Sequence, residues 1–211
     1  MSGKRELNRE RNREALIVAA QDLLEANDLD ATIGSICKSA GLAVGTFYNY
    51  FESKRGLFNA AAEAALLTYT PQLNAIMAAN PEDPAIGFIK ATRFSCRMVE
   101  HLPRTARIIV AAGPQAFTDF NPYAAPAFQA LQKSIDMGLA KCDDLVAFFV
   151  AFSGAYQNVL AFSINSSAFT SVNADHMIAG FMRQLGYSEA EVQEVCFAPY
   201  DLAKLAPGLS L

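Results

Sequence analysis

The chain has no tryptophan, only two histidines and four cysteines among its 211 residues. Cys37, Cys96, Cys142 and Cys196 lie far apart with no C-x-x-C pair, and neither His101 nor His176 stands at ligand spacing from them. No metal site or disulfide framework is therefore expected. Scattered cysteines without a secretory signal imply reduced thiols and a cytoplasmic location. There is also no G-x-S-x-G, no glycine-rich phosphate loop and no closely spaced His–Cys or His–carboxylate set. An enzyme is not expected, and no cofactor is implied. Internal repeats and low-complexity linkers are missing too.

Charged residues make up 18% of the chain and apolar residues 52%, a soluble globular balance with a formal net charge of −4. That net charge would not by itself suggest a nucleic-acid partner, but its distribution is uneven. Residues 1–60 hold eight Lys/Arg and eight Asp/Glu, whereas residues 61–211 hold nine and thirteen. Lys4, Arg5, Arg9, Arg11 and Arg13 outnumber Glu6 and Glu10 at the start, forming a basic N-terminal arm that could reach phosphates or a minor groove.

Residues 145–174 contain no charge, and 145–152 are entirely apolar. Ser153, Gly154, Gln157, Asn158, Ser163 and Asn165 interrupt the run, so a helix buried on nearly all sides is expected rather than a membrane span.

Strand-like alternation is absent, and apolar residues recur at helical spacing throughout, which predicts an all-α fold. Helices are expected at about 11–27, 33–40, 44–51 and from Ser53, with Pro71 kinking or ending the fourth. Pro84 opens one at about 85–101, and others follow at about 104–112, 123–140 and 145–165. Asp143 or Asp144 caps that last helix, Asp175 caps one at 176–185, and Ser188 with Glu191 makes a capping box for a final short helix.

The densest information lies in residues 32–54, TIGSICKSAGLAVGTFYNYFESK. Thr32 can cap a short helix, Gly41 supplies the freedom for a tight turn, and Ile36, Leu42, Phe47 and Tyr50 are spaced as the apolar set of two steeply crossing helices. That is the logic of a DNA-binding helix-turn-helix.

The pattern T-I-x-x-I-x-x-x-A-G-L-x-x-G-T-F-Y-N-Y-F-x-S-K resembles the DNA-binding signature of the tetracycline-repressor (TetR) family, and residues 15–24 resemble that family's first helix. The resemblance covers about residues 11–60. It implies an N-terminal arm and three-helix DNA-binding domain over residues 1–53, and a larger helical ligand-binding and dimerisation domain over residues 54–211. It implies a transcriptional regulator, a repressor, that binds a palindromic operator as a homodimer and is released by a small apolar or aromatic molecule. The alternative is a DNA-binding regulator with no small-molecule inducer, controlled by abundance or a protein partner.

Thr32, Val44, Gly45, Thr46, Tyr48, Asn49 and Lys54 are the expected DNA-binding residues. Thr46, Tyr48 and Lys54 match positions that hold the DNA backbone; Asn49 is the candidate for a base-edge hydrogen bond and Val44 for a thymine methyl. Ala43 and Gly34 depart from the family pattern, the first removing a cap and the second weakening a helix. The Phe-rich remainder offers Phe94, Arg97, Met98, Phe120, Phe128, Phe152 and Tyr156 as ligand-binding candidates. Arg93, His101, Gln157 and Asn158 are further polar groups in apolar helices. The expected homodimer forms through the helices at about 145–165 and 176–185, with Met177, Ile178, Phe181, Met182 and Leu185 adding to the surface.

Overall fold

Leu16, Ala20 and Leu24, each 0% exposed, recur every three or four residues along the first helix and turn one side of it into a core. In the computed structural model, which describes residues 2–113 and 124–201, that helix, α1, spans Ser2–Glu25. The basic N-terminal residues are therefore the first turns of α1 and not an irregular arm. Past Gly3 the run KRELNRERNRE contains no glycine or proline, and nearly every residue in it is a strong helix former.

Four short helices follow: α2 (Ile33–Ser39), α3 (Val44–Phe47), α4 (Lys54–Leu67) and α5 (Thr70–Ala78). Ser53 Oγ accepts from the Gly56 N–H at 3.1 Å and caps α4, as expected. Pro71 does not kink that helix. It sits in the first turn of α5, a helix not foreseen from the sequence, where its missing N–H costs nothing.

Asp83 caps α6 (Pro84–Cys96), which breaks at Arg97 before the single turn α7 (Met98–His101). Pro103 then starts α8 (Pro103–Ala112), which Gly113 ends at φ +75°. The remaining helices are α9 (Ala124–Asp136), α10 (Leu145–Asn165), α11 (Ser171–Gln184) and α12 (Glu189–Cys196). The described residues contain no strand, and the fold is all-α.

Two compact units emerge. The first contains the described residues to Thr68 together with 107–113. Its core gathers Leu16, Ala20, Leu24, Ile36, Phe47, Leu57, Ala61 and Ile108. Helix α4 lies within this unit, its Ala61 carbonyl accepting from Gln21 Nε2 on α1 at 3.0 Å.

The second unit contains Tyr69–Ala106 and residues 124–201. Its core is built around α6, α9, α10 and α11, from Phe88, Ile89, Leu131, Phe148, Phe152, Ile178 and Met182. Helices α5 and α6 pack so closely that a Cβ on Gly87 would stand 2.7 Å from the Met77 carbonyl oxygen, so glycine is required there for the approach. Asp83 ties this unit together: Oδ1 accepts from Ser134 Oγ at 2.7 Å, and Oδ2 accepts from Tyr187 Oη at 2.8 Å. Burial, then the neighbouring Asp83 carboxylate, pushes the Tyr187 hydroxyl well above its ordinary range, so it stays protonated and donates to Asp83.

Three expectations for α10 and α11 are corrected. Helix α10 is long and apolar enough to cross a membrane, but it is not buried on nearly all sides. Only Phe148, Phe152, Val159 and Leu160 are buried, while Val146, Val150 and Phe162 are 64%, 67% and 55% exposed. Asp175 does not cap a helix. Thr170 takes that role, in a reciprocal arrangement with Asn173, and Asp175 lies buried in the first turns of α11. Ile178, Met182 and Leu185 are fully buried within the protomer, so they do not join any exposed surface.

Candidate nucleic-acid interface

The turn between α2 and α3 is built by glycine chemistry. Gly41 has φ +69°, a left-handed conformation that side chains disfavour. This lets the Leu42 N–H reach the Cys37 carbonyl at 2.8 Å and the Gly41 N–H reach Lys38 O at 3.2 Å. The pair of bonds is a Schellman motif, which closes the end of α2 and turns the chain sharply. At the other end of α2, Thr32 Oγ1 accepts from the Ser35 N–H at 3.1 Å. Thr32 is thus committed to capping.

Helix α3 is shorter than the predicted 44–51. After Phe47 the chain continues with tight i→i−3 bonds, Asn49 N–H to Thr46 O at 3.2 Å and Tyr50 N–H to Phe47 O at 2.9 Å. Ala43 makes no side-chain cap, as its residue type dictates. Phe47 is 0% exposed and anchors this turn in the core, with the Tyr48 ring edge-on to it at 5.3 Å and Phe51 at 6.0 Å. Tyr50 is half-buried against the same core.

The opposite side is open. Val44 and Tyr48 are 47% and 61% exposed, Gly45 and Asn49 are exposed, and Thr46 is half-buried. Five of the seven expected residues therefore share one outward turn. Gly45 has nothing within 4 Å of where its Cβ would be, so a flat surface could approach it.

Lys54 is placed differently. Its Nζ donates to Leu29 O at 2.8 Å and to Ala31 O at 3.1 Å, and lies 5.8 Å from the centre of the Phe58 ring. An ammonium has three N–H bonds. Two bind the α1–α2 connection, and the third is not used by either bond.

The ligand candidates in the second unit do not form one constellation. Phe152 sits in an aromatic group with Phe88 at 4.9 Å and Phe181 at 5.3 Å, and Tyr156 packs against the same core. Phe128 meets Phe149 at 5.8 Å. Phe94 and Met98 are buried outside that cluster. Phe120 lies outside the described residues.

Arg97 is already engaged, since both Arg93 and Arg97 grip Asp175 with two hydrogen bonds each, at 2.6–3.0 Å. Arg93 also donates to Val195 O at 2.8 Å, and the Arg97 guanidinium lies 4.2 Å above the Tyr200 ring. Burial opposes the Asp175 charge, but the hydrogen bonds from Arg97 and Arg93 outweigh it and hold the carboxyl below its ordinary value. Asn158 donates to its own helix at Gly154 O, 2.9 Å away. His101 Nε2 and Tyr200 Oη, by contrast, are buried with no hydrogen-bond partner, their rings stacked at 6.3 Å and 13°. Tyr200 was not among the residues expected from the sequence; its position among apolar C-terminal residues carries no periodic signal.

Residues 16–61 match the bacterial regulatory proteins of the tetR family. Over those residues, under a quarter of its length, the chain is similar to that family. A curated relative, the uncharacterized HTH-type transcriptional regulator YvdT of Bacillus subtilis (strain 168), is 48% identical over 58 residues. That match covers 27% of this chain and 29% of the relative, so the chain matches less than a third of the relative's length. The fold likeness is longer. RolR in complex with resorcinol aligns at TM-score 0.65 with 21% identity, over 93% of this chain and 98% of that one. A TetR family transcription regulator from Marinobacter aquaeolei VT8 aligns at 0.53 with 15% identity, over 91% and 95%. At these identities the likeness is one of fold alone.

Proposed function

We propose that this protein is a cytoplasmic transcriptional regulator of the tetR family, a repressor, that binds a palindromic operator as a homodimer and is released by a small apolar or aromatic ligand. The observation that carries the DNA-binding part is the outward turn at α3. Phe47 fixes its inner side, and Val44, Gly45, Thr46, Tyr48 and Asn49 face outward on a rigid element closed by the Schellman turn. Tyr48 and the remaining N–H of Lys54 suit phosphate oxygens, while Asn49 suits an adenine edge.

Tyr48→Ala should weaken binding to any duplex with little change in the salt slope, because a neutral hydroxyl releases no counterion. Asn49→Ala should relax preference at one base pair per half-site when bound sequences are selected from a randomised duplex pool. A folded Tyr48→Ala protein that binds mixed-sequence duplex like wild type would remove this assignment.

The ligand part is supported by the orphaned pair His101 Nε2 and Tyr200 Oη. Buried polar atoms without partners cost about 1–3 kcal/mol each, and a ligand carrying a hydroxyl or carbonyl would satisfy them. A thermal-shift panel of small apolar molecules, with and without such a group, checks this. Stabilisation should follow the polar group and disappear in His101→Ala. Equal shifts in wild type and His101→Ala would place the ligand elsewhere.

The homodimer reading is supported by the uncovered face of α10. Val146, Ala147, Val150, Ala151, Gly154, Asn158 and Phe162 are all exposed and recur at helical spacing. Helix α11 adds exposed Val172, His176 and Gly180.

A further inference from the structure

The buried cluster of Arg93, Arg97 and Asp175 carries two positive charges and one negative. One guanidinium charge is therefore left over inside the second unit after both arginines have bonded to the shared carboxylate. Arg93 also donates to the carbonyls of Val195 and Ala198, and Arg97 to the carbonyl of Arg93. A carbonyl satisfies an N–H group but does not neutralise the charge behind it. Glu100, whose charge also reaches Arg97, is exposed, and water screens it there.

The left-over charge bears on one place. The Tyr200 ring lies 4.2 Å from the Arg97 guanidinium carbon, and the His101 ring stacks with it. Tyr200 Oη and His101 Nε2 are the two buried atoms there without a hydrogen-bond partner. Burial pushes the Tyr200 phenol up to about 12; Arg97, the next largest influence, pulls it down, as does Arg93, while Glu100 and Asp175 add to the rise. The hydroxyl keeps its proton and offers it as a donor. An imidazole with its proton on Nε2 offers a second one. A neutral hydroxyl or amide would satisfy those donors and leave the guanidinium charge as it is. A carboxylate would accept at both oxygens and offset the charge as well.

We propose that the ligand bound at His101 and Tyr200 is an ionised monocarboxylic acid, an apolar or aromatic body whose carboxylate accepts from Tyr200 Oη and His101 Nε2 within the field of the Arg93–Asp175–Arg97 cluster. The inference rests on the ligand reading above and narrows it from any hydroxyl or carbonyl compound to an anion. It also gives Arg93 a positioning role. By holding the Val195 and Ala198 carbonyls, Arg93 fixes the segment that carries Tyr200, so α6, α7 and the residues after α12 build the site together.

The test is calorimetric titration of the full chain near neutral pH, where carboxylic acids are ionised. Matched probes differ only in the polar group: benzoate against benzyl alcohol and benzamide, and octanoate against octan-1-ol. The better-fitting acid should bind about ten-fold more tightly than its neutral partners, the usual gain from a charged hydrogen-bond acceptor. Tyr200→Phe keeps the ring over Arg97 and removes only the unpartnered hydroxyl. The unliganded variant should therefore melt no lower than wild type, while its preference for acid over alcohol falls about ten-fold. A Tyr200→Phe/His101→Leu double variant should lose the preference altogether. A merely structural role for the two residues would move the melting temperature and leave that preference in place.

Equal affinities for acid and neutral partner in wild type overturn the proposal, and the wider ligand reading stands if that binding is lost in His101→Ala. An acid preference that survives in the folded double variant also overturns it, because the anion then binds elsewhere. If no acid binds at millimolar concentration while a neutral probe does, the anion fails and the wider reading stands. If neither class binds, both fall.

Discussion

Asp175→Ala is expected to destabilise the chain by about 3–5 kcal/mol, the usual cost of breaking a buried ion pair from one side. Asp175 is 5% exposed, and Arg93 and Arg97 are 4% and 5% exposed. Without the carboxylate, two guanidinium groups remain buried together, and α6 loses its charged link to α11. Their carbonyl acceptors at Val195, Ala198 and Arg93 can hold the groups in place but cannot cancel their charge.

The triad also gives the stability a pH dependence of known sign. The Asp175 carboxyl is lowered from 3.8, so the folded state binds its proton less readily than the unfolded state does. Its contribution is fully present above the unfolded value and is lost as pH falls through the folded one. Urea unfolding should therefore show a stability decline below about pH 4, and Asp175→Ala should flatten that part of the profile while lowering the plateau. A plateau loss under about 1 kcal/mol would show that the cluster relaxes onto solvent or backbone. Replacing all three residues with apolar ones of similar volume is expected to cost far less than the single change, since the desolvation penalty disappears with the charges.

The sequence exposes this fold unevenly, for identifiable reasons. The α2–α3 turn was legible because its information is local: a capping threonine, a glycine at positive φ and a buried phenylalanine act within a few residues of one another. The capping box of α12 and the glycine after α11 were legible on the same grounds. Asp175 was misread because a lone acidic residue ahead of an apolar run has the look of a cap, whereas its partners lie far away in sequence on α6. Helix α5 was missed because Pro71 read as a terminator, and the same residue type also starts helices. The basic start of α1 was read as an arm because charge run and helix propensity were weighed separately; the four-residue spacing of Arg5, Arg9 and Arg13 held the answer. The ligand residues were least legible. Aromatic residues at helical spacing fit a core as well as a pocket, and most of those chosen are core.

Gly154→Arg and Ala151→Arg should each convert a dimer into a monomer, with the dissociation constant rising about 1,000-fold, equivalent to about 4 kcal/mol. The structure makes this a clean test of association. Both positions are exposed in the protomer, and a Cβ on Gly154 would meet nothing within 4 Å. Each variant should fold as a protomer, with only the helix-propensity change at residue 154, which favours arginine over glycine. In a two-fold interface each copy presents the same face to the other, so a single arginine near the axis places two like charges opposite each other in a desolvated setting. The small residues at 147, 151 and 154 permit a close helix crossing, and Val150 and Phe162 supply the apolar area around it. Light scattering and sedimentation at micromolar concentration check the state of all three proteins. A monomeric wild type, or dimers in both variants, would exclude this face as the interface. Dimer loss accompanied by retained protomer melting and weakened duplex binding would link the exposed side of α10 to the spacing of two recognition turns. A two-fold operator requires that spacing to be about 34–36 Å, one helical turn of DNA.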